Sequence, residues 1–242
     1  DHRSREVRHA FDTARQHVSS VSIDLIFGVP GETLVEWTRD LSQAIALGPD
    51  HLSTYSLTFE RGTQFWNRRE KGDLLPIEED AGGQLYELAI DTLRAAGWEH
   101  YEVSSFARPG YRCRHNEVYW TGGEYFAAGP GAARFINGRR ESNHRSTSTY
   151  LRYLSEGRNP VQESELLDDE MLARERLVFG LRRLEGVALT RFQQDTGYTV
   201  QQLAGESVRR FLDMQLLEET ETHLRLTRRG LLVSDSLWPD LI

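Results

Sequence analysis

Residues 22–33 read SIDLIFGVPGET, and this stretch decides the fold class. Ile23, Leu25, Ile26 and Phe27 form a short apolar run that ends at a glycine- and proline-containing turn. A run of this length with this ending is typical of a strand that is buried on both faces, as in a parallel sheet. The stretch therefore predicts an α/β protein.

The segments that follow alternate between helix and strand. Thr33 and Glu36 are spaced as a capping box, which predicts a helix directly after the turn. HLSTYSLTFE (51–60) reads as a second strand, a helix is predicted over about Glu79–Ala96, and WEHYEVSSF (98–106) reads as a third strand. Strand–helix–strand order with short links implies that the strands are parallel.

Three parallel strands are too few to form a sheet that closes on itself. The sequence begins at Asp1, its methionines are Met171 and Met214, and residues 1–18 read as a helix that has been cut into. We therefore interpret the chain as the C-terminal part of a longer protein, and its sheet as the latter part of a (β/α) barrel, full or partial. Its first strand would expose an unpaired edge, so we expect the chain alone to be poorly soluble or partly molten.

Composition narrows the class of protein. The 242 residues are 38% hydrophobic, which suits one large domain or a medium domain with a small one. The sequence contains no run of 18 apolar residues and no secretory leader, and its single cysteine fits a reducing compartment. We therefore predict a cytoplasmic protein. The formal net charge of −8 argues against broad nucleic-acid binding.

The pattern of apolar and polar residues in the sequence changes near Leu166. Three amphipathic helices are predicted, followed by a hairpin that turns near residues 220–222, and together they resemble a winged-helix module. Such a module could bind DNA through four arginines, or it could pack against another domain. The four arginines are Arg209, Arg210, Arg228 and Arg229. Because the chain is acidic and its arginines are scattered, we favour packing and expect no nucleic-acid partner.

The predicted organisation has three parts. Residues 1–140 form the C-terminal part of the barrel, 141–165 form a linker, and 166–242 form a small winged-helix-like α+β domain.

Ligands of parallel α/β proteins lie at the carboxyl ends of the strands. Asp24 stands inside the apolar run, where a carboxylate is costly unless it accepts hydrogen bonds. Backbone amides or an arginine could satisfy Asp24, or it could accept from a ligand, and chemistry alone leaves both open. The loop GVPGET (28–33) lacks the lysine and glycine spacing of known phosphate-binding motifs, so it is a weak signal for phosphate.

The segment YRCRHNEVYW (111–120) concentrates unusual chemistry. It holds the only cysteine of the chain, Cys113, together with a histidine, an asparagine and three aromatic residues. It could be a packed aromatic corner, a metal or haem site, or part of a catalytic pocket, and local chemistry does not decide between them. Cys113 could be a thiolate ligand, although a buried or free thiol is the commoner case.

Several ordered motifs together resemble one family. SIDLIFGVPGET, LGPDHLSTYSLTFERGT (47–63), YEVSSFARPGYRCRHNEVYW (101–120) and EYFAAGPGAARF (124–135) look like the radical S-adenosylmethionine (SAM) proteins of the oxygen-independent coproporphyrinogen III oxidase superfamily. Within it they are similar to the HemW branch of haem chaperones. GLRRLEGV (180–187) and LRLTRRGLLVSD (224–235) are similar to the C-terminal domain of that family.

The resemblance implies two cofactors. The family binds a [4Fe-4S] cluster through three cysteines of a CxxxCxxC loop, which this chain does not contain, so no cluster ligand can be named here. Asp24, Thr58 and Phe135 match positions that contact SAM in the family, which favours a functional role for Asp24. Glu32 stands where many members have glutamine. No catalytic residue can be named.

The resemblance also implies a haem site. HNEVYW fits the HNxxYW signature of the haem-chaperone branch, in which the histidine is implicated in holding haem. An imidazole is a good axial ligand for haem iron, and flat aromatic rings suit a porphyrin. We therefore assign haem binding to His115, with Asn116 orienting it and with Tyr119 and Trp120 in support.

Three functions follow from these patterns. The first is a haem chaperone that delivers haem to a membrane-bound acceptor, its cluster and SAM supporting transfer or a homodimer. The second is an oxygen-independent coproporphyrinogen III oxidase, which removes carbon dioxide from porphyrinogen propionates by radical chemistry. The HNEVYW segment favours the first, so enzyme activity is the weaker expectation. The third, a DNA-binding regulator, would rest on the four arginines alone.

Overall fold

The computed structural model describes residues 4–242, and within it the chain divides into two compact units, Asp1–Cys113 and Arg114–Ile242. Each unit is described separately. Residues 1–3, at the start of the predicted opening helix, lie outside the described part of the chain.

The first unit is built from four helices and four strands. In chain order these are α1 (Ser4–His17), β1 (Ser22–Phe27), α2 (Leu34–Leu47), β2 (His51–Ser56), α3 (Gln64–Glu70), α4 (Glu79–Ala95), β3 (Glu99–Glu102) and β4 (Ser105–Ala107). The capping box at the start of α2 is confirmed, because the Thr33 side chain accepts from the Glu36 amide and the Glu36 side chain accepts from the Thr33 amide.

The strands of the first unit form one sheet in the order β1-β2-β4-β3. β1 and β2 are parallel, as predicted, and Ser22 lies opposite His51. The prediction of a single third parallel strand over 98–106 was wrong. A turn at Val103 and Ser104 divides it into β3 and β4, and β4 runs antiparallel to both of its neighbours. A short turn between extended segments forms a hairpin, which the helix–strand alternation could not reveal.

One face of this sheet carries the core of the unit. Phe27 at the end of β1 packs against Trp37 of α2 and stacks on Tyr86 of α4. The indole N–H of Trp37 donates to the Leu85 carbonyl at 2.9 Å, which joins the two helices. Apolar residues of α2 and α4 are therefore held on the face to which Phe27 points.

The prediction that β1 is buried on both faces was wrong. Ser22, Asp24 and Ile26 are exposed, and within the strand only Phe27 is buried. β1 is an edge strand of the sheet that residues 4–113 form. Helices cover the face of β1 that is opposite to Ser22, Asp24 and Ile26. Its apolar composition is therefore only partly used for packing within the described unit.

The second unit contains two antiparallel sheets of three strands. Its elements are α5 (Arg114–Trp120), β5 (Ala133–Ile136), β6 (Arg139–Asn143), α6 (Thr147–Ser155), β7 (Val161–Leu166), α7 (Asp169–Arg182), β8 (Val187–Ala188), α8 (Leu189–Thr196), α9 (Val200–Asp213), β9 (Leu217–Glu219), β10 (His223–Leu226), α10 (Arg228–Leu232), α11 (Ser234–Leu237) and a 3₁₀ turn (Trp238–Asp240). The sheet orders are β5-β6-β7 and β8-β10-β9.

The boundaries expected from the sequence differ from this division. Residues 141–165, interpreted as a linker, contain most of β6 and β7 and all of α6. The expected barrel boundary at 140 falls inside β6, which pairs with β5 on one side and β7 on the other. The polar, glycine-containing sequence of this region reads as a linker, but its backbone hydrogen bonds are used in a sheet.

Residues 166–242 have the element order of a winged-helix module. Three helices, α7 to α9, accompany the sheet β8-β10-β9, in which β9 and β10 form the predicted hairpin. Leu177 and Leu181 of α7 and Leu224 of β10 are almost completely buried. Gly186 precedes this sheet at φ 77°, where a Cβ atom would lie 2.3 Å from the Leu224 carbonyl oxygen. Only glycine fits that position.

Candidate functional site

The HNxxYW residues lie on the short helix α5. His115 is exposed, whereas Tyr119 is half-buried. The two side chains are one helical turn apart and contact each other: the Tyr119 hydroxyl lies 3.0 Å from Nε2 of His115, and the rings meet edge to face at 4.9 Å. α5 thus presents a solvent-accessible imidazole whose partner is a tyrosine.

Asn116 and Trp120, which are expected to support His115, lie with it on α5. Neighbouring positions on a helix do not face each other, and the hydrogen bond of His115 is made with Tyr119. Trp120 packs on Phe179 of α7, with ring centroids 6.0 Å apart, and the Arg182 guanidinium lies 4.5 Å from its ring centre. Trp120 therefore attaches α5 to α7.

Tyr119 also belongs to an aromatic row inside the second unit. Its ring lies 4.5 Å from that of Tyr125, which in turn lies 6.3 Å from that of Phe135. Tyr125 and Phe135 also exchange backbone hydrogen bonds of 3.0 Å in both directions. These contacts bring the HNxxYW segment and the segment around Phe135 together.

The aromatic row lines a small cleft. Its wall includes Tyr119, Tyr125, Phe135, Arg140, Glu175 and Phe179, and its volume is about 30 Å³. Sites for drug-sized ligands have volumes of roughly 300–1,000 Å³, so this cleft is far too small for a porphyrin. A haem held by His115 would lie on the open side of α5.

Fixed charges border the cleft. The Arg140 guanidinium donates to Glu175, and this hydrogen bond raises the pKa of Arg140 above its usual range. Arg176 donates to the Asp195 carbonyl at 3.1 Å, and its side chain passes close to Gly122. The cleft thus combines an aromatic wall with guanidinium groups at its border.

The residues assigned to SAM fall in both units. Asp24 lies on β1 opposite Ser53, and it is exposed, so the prediction of a buried carboxylate was wrong. Thr58 follows β2, is exposed, and its hydroxyl lies 3.3 Å from the Glu60 carboxylate. Phe135 lies on β5 of the second unit. Asp24 and Thr58 are thus accessible in the unit that holds them.

Glu32 has a local structural role. Its carboxylate accepts a hydrogen bond of 2.6 Å from the Gly28 amide, across the turn between β1 and α2. Gly28 has φ 80°, a conformation that glycine adopts at little cost. The glutamate therefore closes this turn, and a glutamine oxygen could accept the same bond.

The first unit contains a polar network around the buried His51 that was not predicted from the sequence. Nδ1 of His51 lies 2.9 Å from the Ser22 hydroxyl, and Nε2 lies 2.8 Å from the Tyr101 hydroxyl. Burial lowers the pKa of His51, although the charge of Asp24 opposes this, and burial raises the pKa of Tyr101 to about 12. The contact of His51 with Ser22 depends on the register of β1 against β2, in which the two residues lie opposite each other, and no local sequence pattern gives that register.

Cys113 closes this network from the end of the first unit. Its backbone N–H donates to the Tyr101 hydroxyl at 3.2 Å, and its side chain is half-buried. No group of three or more metal-binding side chains occurs within residues 4–242.

Comparison with solved structures shows which known fold this chain resembles. The chain matches the solved structure titled "Coproporphyrinogen III oxidase (HemN) from Escherichia coli is a Radical SAM enzyme" with a TM-score of 0.79. The match covers 100% of this chain and 59% of that one, at 18% identity. The expected α/β class and its likeness to the radical SAM fold are confirmed. Residues 167–233 also match the family model of the HemN C-terminal domain.

Sequence relatives indicate a narrower group of proteins than the fold does. The chain is 30% identical to heme chaperone HemW of Bacillus subtilis, over 98% of this chain and 63% of that protein. It is 37% identical to heme chaperone HemW of Escherichia coli, over 73% of this chain and 47% of that protein. The chain is therefore similar to the heme chaperones HemW of these two bacteria over most of its own length. It spans about half to two thirds of the length of these relatives.

Proposed function

We propose that the chain is the haem-carrying part of a haem chaperone and that His115 binds haem iron. The observation that supports this most directly is the accessible imidazole of His115 on a helix that carries the HNxxYW signature. Neutral imidazole nitrogen is a common axial ligand of haem iron. The relatives named as heme chaperones support the same function.

Haem would lie against the exposed side of α5. The cleft beside Tyr119 has a volume of only about 30 Å³, so the porphyrin would have to remain largely outside it. An open site of this kind suits a protein that passes its cargo on, because the cargo stays accessible to an acceptor. We propose a membrane-bound protein as acceptor, and a cytoplasmic location and a homodimer for the chaperone. None of the helices in residues 4–242 is long and apolar enough to cross a membrane.

A haemin titration of His115→Ala tests this function. We expect wild-type protein to shift the Soret band of haemin, and the variant to bind at least about tenfold more weakly, since an iron ligand is lost. His223→Ala is the control, because His223 is a half-buried histidine on β10 of the same unit. Superimposable titrations of wild type and His115→Ala would remove His115 from the site.

A metal-free porphyrin separates the chaperone from the oxidase. The likeness of the fold to coproporphyrinogen III oxidase keeps the enzyme as the second candidate. A chaperone that binds haem iron through His115 should bind metal-free coproporphyrin III much more weakly than it binds haemin. Equal binding of the two, unaffected by His115→Ala, would favour the oxidase.

We also propose that SAM binds the first unit through Asp24 and the backbone at Thr58. Phe135 of the second unit is proposed as a SAM contact from the resemblance of its segment to the family. The exposed carboxylate of Asp24 can accept hydrogen bonds from hydroxyl or ammonium groups of such a ligand. Bound SAM would supply a source of radical chemistry. The one cysteine of this chain cannot provide the three ligands of the family's [4Fe-4S] cluster.

Replacing Asp24 by Asn tests the SAM site. A charge-assisted hydrogen bond contributes about 1.5–3 kcal/mol, so SAM binding measured by equilibrium dialysis should weaken by about ten- to a hundredfold. Asp40→Asn is the matched control, because Asp40 is an exposed carboxylate on α2 that pairs with Arg39. An unchanged dissociation constant for Asp24→Asn would exclude Asp24 as a contact.

A further inference from the structure

The hydrogen bond between His115 and Tyr119 occupies the nitrogen that haem iron would use. The Tyr119 hydroxyl lies 3.0 Å from Nε2 of His115. If the tyrosine donates, it takes the lone pair of Nε2; if it accepts, Nε2 carries a proton. In either tautomer Nε2 has no lone pair left for a metal.

The other ring nitrogen is a poorer ligand here. Nδ1 is next to the carbon that carries Cβ, so a flat macrocycle bound to Nδ1 would meet the backbone of α5. Nε2 points away from the backbone and gives a porphyrin room. The structure therefore shows the preferred nitrogen already engaged by a residue of the same helix.

We propose that Tyr119 competes with haem iron for Nε2 of His115 and so lowers the affinity of the site for haem. This inference rests on the function proposed above. His115 is exposed and Tyr119 is half-buried, with its ring 4.5 Å from that of Tyr125. On binding, His115 turns away from the tyrosine and Tyr119 stays in the aromatic row. When haem leaves, the hydrogen bond forms again and stabilises the empty site.

Such competition gives a haem carrier a moderate affinity, which favours transfer to an acceptor that binds haem more tightly. Tyr119 is a positioning residue in this scheme, because it acts on haem through His115. Its effect has the opposite sign to that of a residue that contacts haem, since removal of a competitor strengthens binding.

Tyr119→Phe tests the proposal by haemin titration. It removes only the hydroxyl and keeps the ring beside Tyr125. Because a typical hydrogen bond contributes about 0.5–1.5 kcal/mol, haemin should bind about two- to tenfold more tightly. Tyr125→Phe is the matched control: it removes a hydroxyl from the neighbouring ring, which has no hydrogen bond to His115, and should leave haemin binding unchanged.

Nitrogen-15 spectroscopy of the ligand-free protein gives a second readout that does not depend on haem. The resonance of Nε2 in His115 should move in Tyr119→Phe, because its hydrogen-bond partner is gone, and should stay in place in Tyr125→Phe. An Nε2 resonance that is the same in wild type and Tyr119→Phe would overturn the proposal, even if the variant bound haemin more tightly.

The outcomes separate this proposal from the proposed function. A wild-type protein that does not bind haemin contradicts the function itself. If wild type binds through His115 and Tyr119→Phe binds equally or more weakly, the chaperone function stands and the competition by Tyr119 is refuted. Tighter binding by Tyr119→Phe, together with a shifted Nε2 resonance, supports it.

Discussion

His51 shows how a single residue can acquire its properties from distant parts of the chain. Its imidazole is buried, and it bridges the Ser22 hydroxyl on β1 and the Tyr101 hydroxyl on β3. A buried histidine with two hydroxyl partners is satisfied as a neutral ring. Burial consequently lowers its pKa, and the negative charge of Asp24 compensates only in part.

The lowered pKa of His51 predicts a loss of stability in mild acid. The unfolded chain protonates this residue near the ordinary value of about 6.5, whereas the folded protein does so only at lower pH. Below about pH 6.5 the unfolded state therefore binds more protons, and the free energy of unfolding falls as the pH is lowered. Urea unfolding between pH 7.5 and 5 should show this fall, and His51→Gln should reduce it.

Carboxylates provide the natural check on this interpretation. Hydrogen bonds from Arg112 lower the pKa of Glu99, and those from the Val21 amide and Arg15 lower that of Asp50 against the opposing effect of burial. Stability contributed by these groups is lost only below their ordinary values of about 4. A pH dependence above 5 that is identical in wild type, His51→Gln and the control His223→Gln would show that His51 is not its source.

At the scale of elements, helix ends followed directly from sequence, because caps are local. The capping box of α2 involves residues three positions apart, and Gly48 ends the helix with φ 70°. Strand pairing was harder to predict. The segment 98–106 has the composition of one strand, but its central turn folds β4 between β2 and β3. Which strands become neighbours depends on contacts between residues about 50 positions apart.

The edge strand β1 predicts self-association. Its Ile26 side chain is exposed, and its outer backbone edge has no strand partner within residues 4–242. An exposed apolar edge can pair with a second copy, and a lysine on such a strand opposes pairing. We expect Ile26→Lys to lower the aggregated fraction in light scattering.

A matched substitution tests whether the strand edge is responsible. Val35→Lys also replaces an exposed apolar residue by lysine, but Val35 lies on helix α2 and has no strand edge beside it. It should reduce aggregation much less than Ile26→Lys. A monodisperse wild-type chain, or equal effects of the two variants, would contradict an association through β1.

At the scale of the whole molecule, some groups of helices and strands could be predicted from the sequence and others could not. The helices and hairpin of residues 166–242 were predicted, because each has its own periodicity and turn residues. The sheet β5-β6-β7 was not predicted, since its strands are short, polar and charged, and the chain between β6 and β7 contains a helix. Arg210, one of the four arginines through which the winged-helix-like module could contact DNA, forms an ion pair with Asp240.

The candidate site was predictable in part. The spacing of HNEVY places His115 and Tyr119 one turn apart on a helix, so their contact follows from sequence once the helix is assumed. The aromatic row through Tyr125 to Phe135 does not follow, because it depends on an isolated β-bridge between these two residues, which no helix or strand periodicity predicts. The size of the cleft also depends on side chains of α7, which lies about 50 residues further along the chain.

The sequence by itself determined the α/β class, the helix ends, the winged-helix-like element order and the HNxxYW signature. Each of these depends on residues within a few positions of one another. The tertiary structure alone decided that Asp24 is exposed, that β4 runs antiparallel, that His51 is buried between two hydroxyls, and that residues 141–165 form part of a sheet. These features depend on which distant segments meet, because burial and hydrogen bonding between strands are set by spatial neighbours.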